Sequence, residues 1–153
     1  MMDIKRITEV GVAVKDLEEA TKLFVDLLGA EAGPVIDMPM YGMKYRMCRV
    51  GKVDFELMAP AGDDGVIAKY LESKGEGLHH VAFAVKDLAE GMRSLESKGV
   101  QFVSEEPLSG HGQSVDYAGR EVAGHTKFTF SVPSSILGIL FEFIEYPEGY
   151  ETP

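Results

Sequence analysis

Four side chains able to hold a cation or carry a proton, Glu9, Glu56, His80 and Glu142, stand at corresponding points of a sequence that contains its own repeat. The run Ala-Val-Lys-Asp-Leu occurs at residues 13–17 and again at 84–88, and aligning the two copies sets Glu9 opposite His80. Glu56 and Glu142 close the two halves in the same way, each on the strand face away from the residues that a helix would cover. A charged group among apolar strand neighbours costs several kcal/mol to bury unless it is paired or metal-bound. Gathering the four in one cleft around one divalent cation meets that cost. Without a cation, three converging carboxylates raise one another's pKa and leave one protonated near neutrality, an acid/base pair in its own right.

The elements that must position these groups follow from periodicity. Residues 7–14 alternate, with Glu9, Gly11 and Ala13 on one face and Val10, Val12 and Val14 on the other. A helix starts at once, Asp16 as N-cap with Glu19 three residues on, and Leu17, Ala20, Phe24, Leu27 and Leu28 make its apolar stripe up to Gly29. Residues 30–42, rich in Pro, Gly and Met, read as a short strand and a loose connection. Residues 44–50 and 53–58 are a hairpin about the Gly51-Lys52 turn, with Glu56 and Met58 on one face and Phe55 and Leu57 on the other. A short helix over 66–73 leads to Gly75 and Gly77 at the join. The second half repeats the programme: a strand over 78–85 with His80, Ala82 and Ala84 on one face, Asp87 and Glu90 as the cap, and Leu88, Met92 and Leu95 as the stripe up to Gly99. After a polar, glycine-containing insertion at 109–125, strands over 127–132 and 139–144 finish the pattern, the last turning Glu142 away from Phe141 and Phe143.

At 153 residues and 45% apolar content the chain suits one domain with a real core, residues 1–153, built as two modules at about 5–74 and 76–147. A net charge of -10 argues against nucleic acid, whose phosphates demand clustered Lys and Arg. No apolar run approaches the ~20 residues that span a bilayer, and the first residues lack the pattern of a secretory signal, so a cytoplasmic protein is expected. Lys44, Arg46 and Arg49 either receive a small anionic ligand, Arg49 included, or are solvated strand residues. Met38, Met40, Met43 and Met47 line a pocket or fill core gaps. Cys48 reads as a small buried hydrophobe, His79 as a core or boundary histidine, and His111 and His125 as loop residues with possible ligand roles.

The repeat, the Gly-Glu-Gly-Leu-His-His-Val-Ala-Phe run at 75–83, Ser-Glu-Glu-Pro at 104–107, Gly-His-Gly at 110–112 and Gly-Ile-Leu-Phe-Glu at 138–142 resemble the vicinal oxygen chelate superfamily of glyoxalase I, bleomycin-resistance proteins and extradiol dioxygenases. Within it the chain is most similar to the methylmalonyl-CoA epimerases. The resemblance implies an α+β fold of two tandem βαβββ modules forming an open half-barrel around a shared cleft, a homodimer, and a divalent ion, Mn, Co, Zn, Ni or Mg. It makes His80 and Glu142 metal ligands and puts Glu56 where a Gln or Glu ligand stands. Glu9 occupies the place of a family histidine, and Tyr45 falls where bacterial epimerases carry a catalytic carboxylate; His111 lies in a loop near the substrate. With Glu9 as a ligand the site carries about -1, which suits harder ions such as Mn²⁺ or Mg²⁺. The expected function is a metal-dependent isomerase or lyase that removes a proton next to a carbonyl of a small substrate, which the resemblance implies to be an acyl-CoA, with Glu9 or Glu142 as the base and Tyr45, Arg49 and His111 at the substrate. The alternative is a small-molecule binding protein without turnover. Extradiol dioxygenation ranks last, because it wants two histidines and one carboxylate on iron and only His80 is in place.

Overall fold

The computed structural model describes residues 1–110, 116–120 and 124–150. Strand β1 (Asp3–Ala13) feeds helix α1 (Leu17–Leu28), where the Asp16 carboxylate accepts the Glu19 N–H at 2.9 Å and Gly29, at φ 64°, ends the helix in the left-handed region. Leu17, Ala20 and Phe24 face the core, and the Phe24 ring meets Phe55 at 5.3 Å. Leu27 and Leu28, expected in that stripe, are exposed, because a helical period does not say where the surface beneath a helix ends.

Residues 30–42, expected as a short strand and a loose connection, form an eight-residue strand, β2 (Glu31–Met38), followed by a short turn of 3-10 helix at Pro39–Tyr41. The strand tolerates Pro34 because β2 is outermost in the sheet and its register shifts between Ala32 and Val35, so the missing N–H leaves no ladder bond unmade. Strands β3 (Met43–Val50) and β4 (Val53–Pro60) pair as the hairpin, with Gly51 at φ 62° in the turn. Helix α2 (Val66–Lys74) precedes β5 (Gly77–Lys86) and α3 (Leu88–Glu96), whose cap is Asp87 accepting from Glu90 N–H at 3.2 Å. Then come β6 (Leu108–Ser109), β7 (Lys127–Phe130) and β8 (Phe141–Glu145), the last two shorter than the alternation suggests. The order of elements is twice a strand, a helix and three strands, with α2 between. The eight strands are hydrogen-bonded in the order β2-β3-β4-β1-β5-β8-β7-β6. No helix among the described residues is long and apolar enough to cross a membrane.

The chain divides into two compact units. The first-half unit is Glu9–His79 with Tyr117–Gly119; the second-half unit is Met1–Thr8, His80–Asp116 and Arg120–Pro153. In the first, Val14, Leu17, Cys48 and Leu57 pack under α1, while Ala13, Met58 and Ile67 pack on the opposite sheet face toward α2. In the second, Val85, Leu88, Met92 and Phe143 pack under α3, with Met2 against Gly91, where a side chain would meet the Met2 thioether. Each fully buried Leu stabilises its unit by roughly 1.5–3 kcal/mol, and Leu57 and Leu88 are both at 0% exposure.

Candidate functional site

In the first-half unit, β1 and β4 run parallel in a register that sets Glu9 beside Asp54 and Gly11 beside Glu56. Glu9 and Gly11 share a face, and Gly11 is buried and places no side chain beside Glu9's diagonal neighbour Glu56. A carboxylate oxygen of each lies within 4.8 Å of one on the other. Both residues are half-buried. Tyr45 of β3 faces them: burial, then the Glu56 and Glu9 carboxylates, push its phenol above the ordinary range, so it stays protonated and can donate a hydrogen bond.

In the second-half unit, β5 and β8 are also parallel, and Ala82 lies beside Glu142. His80 stands two residues before Ala82, as Glu9 stands two before Gly11. Its Nε2 is 3.3 Å from Glu142 Oε2, and the two side chains are only 4% and 13% exposed. Burial pushes the Glu142 carboxyl up to about 8, so most of it is neutral at pH 7. Phe130 of β7, the register partner of Glu142, turns its ring edge-on to His80, with centroids 5.9 Å apart and planes at 87°.

These separations suit ligation. Donors at about 2.1 Å from one ion lie ~3 Å apart when adjacent and ~4.2 Å apart when opposite. The His80–Glu142 approach falls in that range, Glu9 and Glu56 lie within 4.8 Å, and carboxylates and imidazole are donors that divalent ions accept.

The remaining candidates are placed elsewhere. Arg49 donates from Nε and a terminal nitrogen to the two oxygens of Asp54, at 2.7 and 2.9 Å, and Tyr117 lies over its guanidinium at 3.8 Å. Sequence reading missed Asp54 and Tyr117. The first was findable, since Arg49 and Asp54 face each other across the 51–52 turn. Arg46 turns to the helix side, donating to Glu18 and to the Thr21 hydroxyl, both at 3.2 Å. His79 meets the ring of Tyr70, His125 is exposed, and Cys48 is buried with its thiol pushed up by burial. Met40 is exposed, while Met43 packs beside Ala13 and Met58. His111 lies outside the described residues.

The family described as the Glyoxalase/Bleomycin resistance protein/Dioxygenase superfamily matches residues 8–118. The mitochondrial methylmalonyl-CoA epimerase of Bos taurus is 35% identical over 115 residues, which cover 74% of this chain and 66% of that protein. The ethylmalonyl-CoA/methylmalonyl-CoA epimerase of Cereibacter sphaeroides is 34% identical over 115 residues, covering 73% and 86%. Among solved structures, the methylmalonyl-CoA epimerase from Mycobacterium tuberculosis superposes with a TM-score of 0.77 at 28% identity, covering 94% of this chain and 89% of that one. A methylmalonyl-CoA epimerase in complex with methylmalonyl-CoA and NH4+ gives 0.79 at 25% identity over 99% and 100% of the two chains. The chain spans a little under two thirds of the length of the mammalian relatives it matches.

Proposed function

Because this chain belongs to the glyoxalase/bleomycin resistance protein/dioxygenase superfamily, we propose that it is a metal-dependent isomerase that epimerises a small acyl-CoA next to its thioester carbonyl. The observation that carries the reading is the repeated register. Each half presents a donor on its first strand and a carboxylate beside the residue two positions on, Glu9 with Glu56 and His80 with Glu142. Such carboxylates and imidazole are donors for a divalent ion, which when bound would supply positive charge to the substrate's oxygens. Three carboxylates and one imidazole favour Mn²⁺ or Mg²⁺ over softer ions.

The proton transfer belongs to the chain. The bond between hydrogen and the carbon next to the carbonyl breaks, the proton goes to Glu9 or Glu142, and the electron pair moves onto the carbonyl oxygen as an enolate. A second acid delivers a proton to the other face of that carbon, giving the epimer, and proton exchange with water returns both groups to their starting states. In the metal-free protein burial raises the Glu142 carboxyl to about 8. Tyr45, kept protonated, supplies a hydrogen bond to an oxygen in the site. Arg49, already engaged by Asp54 and Tyr117, takes no part in this scheme. The unit of function is a homodimer in the cytoplasm, the first of which sedimentation of the full chain reads directly.

The test is incubation with methylmalonyl-CoA in D₂O after loading with Mn²⁺, Mg²⁺, Co²⁺, Zn²⁺ or Ni²⁺, reading deuterium at the carbon between the two carbonyls by mass spectrometry. Uptake above the protein-free control is expected with at least Mn²⁺. If acyl-CoA raises the melting temperature but no metal gives uptake, the chain is a binding protein and the isomerase reading fails.

A further inference from the structure

Two histidines stand in tandem at the start of β5, and alternation sends them to opposite faces of the sheet. Each meets an aromatic ring edge-on: His79 meets Tyr70 of α2, with centroids 4.7 Å apart and planes at 68°, and His80 meets Phe130 of β7 at 5.9 Å and 87°. The two aromatics differ in what else they do. Tyr70 donates its hydroxyl to the Leu78 carbonyl at 2.6 Å and so ties α2 to β5. Phe130 has no polar atom, and its ring is itself met edge-on by Phe128 at 6.0 Å and 80°.

We infer that Phe130 is the positioning residue for His80: its ring, set edge-on and backed by Phe128, holds the imidazole with Nε2 toward Glu142. An imidazole serves as a cation donor only while one nitrogen is aimed, and rotation of the ring would swing Nε2 away from the 3.3 Å approach to Glu142 Oε2. An edge-on aromatic contact opposes that rotation, because ring edges and faces carry opposite partial charge and turning the ring exchanges one for the other. The register supports the assignment. Phe130 is the direct neighbour of Glu142 across β7 and β8, so one side chain borders both members of the pair. At the matching place in the first half, Met47 borders Glu56, and the donor there is Glu9, which has no ring to orient.

The inference rests on His80 being a cation donor, as proposed above, but its test separates the two. In the full chain, Phe130→Met and Phe130→Leu remove the ring while keeping most of the bulk, Phe130→Tyr keeps the ring, and Tyr70→Leu is the control at the other histidine. The ring nitrogens of His80 are followed by ¹⁵N NMR of the metal-free protein, assigned against His80→Gln, and affinity for Mn²⁺ alone is measured by calorimetry. Phe130→Met and Phe130→Leu are expected to shift the His80 nitrogen signals toward a mixture of tautomers and to weaken Mn²⁺ about tenfold or more, the usual cost of losing a partner that orients a ligand. Phe130→Tyr should restore both, and Tyr70→Leu should lower the melting temperature while leaving both unchanged. Native His80 signals and native Mn²⁺ affinity without the ring overturn the inference, and so does a Phe130→Tyr variant as impaired as Phe130→Met. If the native chain binds no Mn²⁺, the metal-dependent reading fails and the His80 signals alone decide the role of Phe130.

Discussion

The pair Glu9 and Glu56 and the pair His80 and Glu142 sit on the same backbone frame, parallel first and last strands with the carboxylate beside the residue two positions after the donor. Their surroundings differ. Glu56 borders Met47, with Tyr45 two residues back, whereas Glu142 borders Phe130, with Phe128 two residues back. Glu9 and Glu56 have the Tyr45 phenol for company, while His80 has the Phe130 ring edge-on and burial raises the Glu142 carboxyl. The lesson is that register repeats position, but desolvation decides chemistry. One frame sets two carboxylates beside a phenol, and the other sets a carboxyl raised by burial beside a buried imidazole.

The most severe test of that contrast replaces donors of each pair one at a time. Glu142→Gln and His80→Ala are expected to lower deuterium exchange into methylmalonyl-CoA by ~10³-fold, and Glu56→Gln by only about tenfold. Equal losses would mean that the buried pair holds no special place. Next in size, Glu9→His gives both halves an imidazole on the first strand. Competition titrations should then show Zn²⁺ and Co²⁺ gaining on Mn²⁺ by on the order of tenfold, since imidazole suits the softer ions.

The buried carboxyl also marks the stability of the metal-free protein. Because the folded state holds the Glu142 proton up to about 8 and the unfolded chain releases it in the usual carboxylate range, the native form binds more protons between those limits. Stability therefore falls as pH rises through that window. Urea unfolding at pH 6 and pH 9 should differ by on the order of 2 kcal/mol, and Glu142→Gln should flatten the difference. Mn²⁺ affinity should run the other way, rising up to about pH 8, because ligation needs the ionised carboxylate.

The smallest effect compares the two helix caps. Asp16→Ala should cost about 1 kcal/mol in thermal or chemical unfolding. Asp87→Ala should cost more, since Asp87 sits at φ 53°, in the left-handed region that alanine resists, whereas Asp16 is extended at φ -125°. Equal losses at the two caps would remove the backbone difference between the halves.

Much of the architecture is written in local pattern. Alternation over β1, β4, β5 and β8 separates Glu9, Glu56, His80 and Glu142 from the valine, leucine and phenylalanine faces that pack under α1 and α3. Asp16, Glu19, Asp87 and Glu90 announce both helix starts, and the repeated Ala-Val-Lys-Asp-Leu announces the duplication. Such features are readable because period and capping depend only on residues a few positions apart.

Only the folded chain decided the rest. It made a strand of 31–38 despite Pro34, because that strand lies at the edge; it left Leu27 and Leu28 in solvent; and it spent Arg49 on Asp54 and Tyr117. It also put Phe130 beside Glu142 and Met47 beside Glu56, and it buried Glu142 deeply enough to raise its carboxyl to about 8. The physical reason is range. A strand's own residues dictate which way a side chain faces, but its neighbours in space, distant in sequence, dictate how much water reaches it and hence what charge it carries.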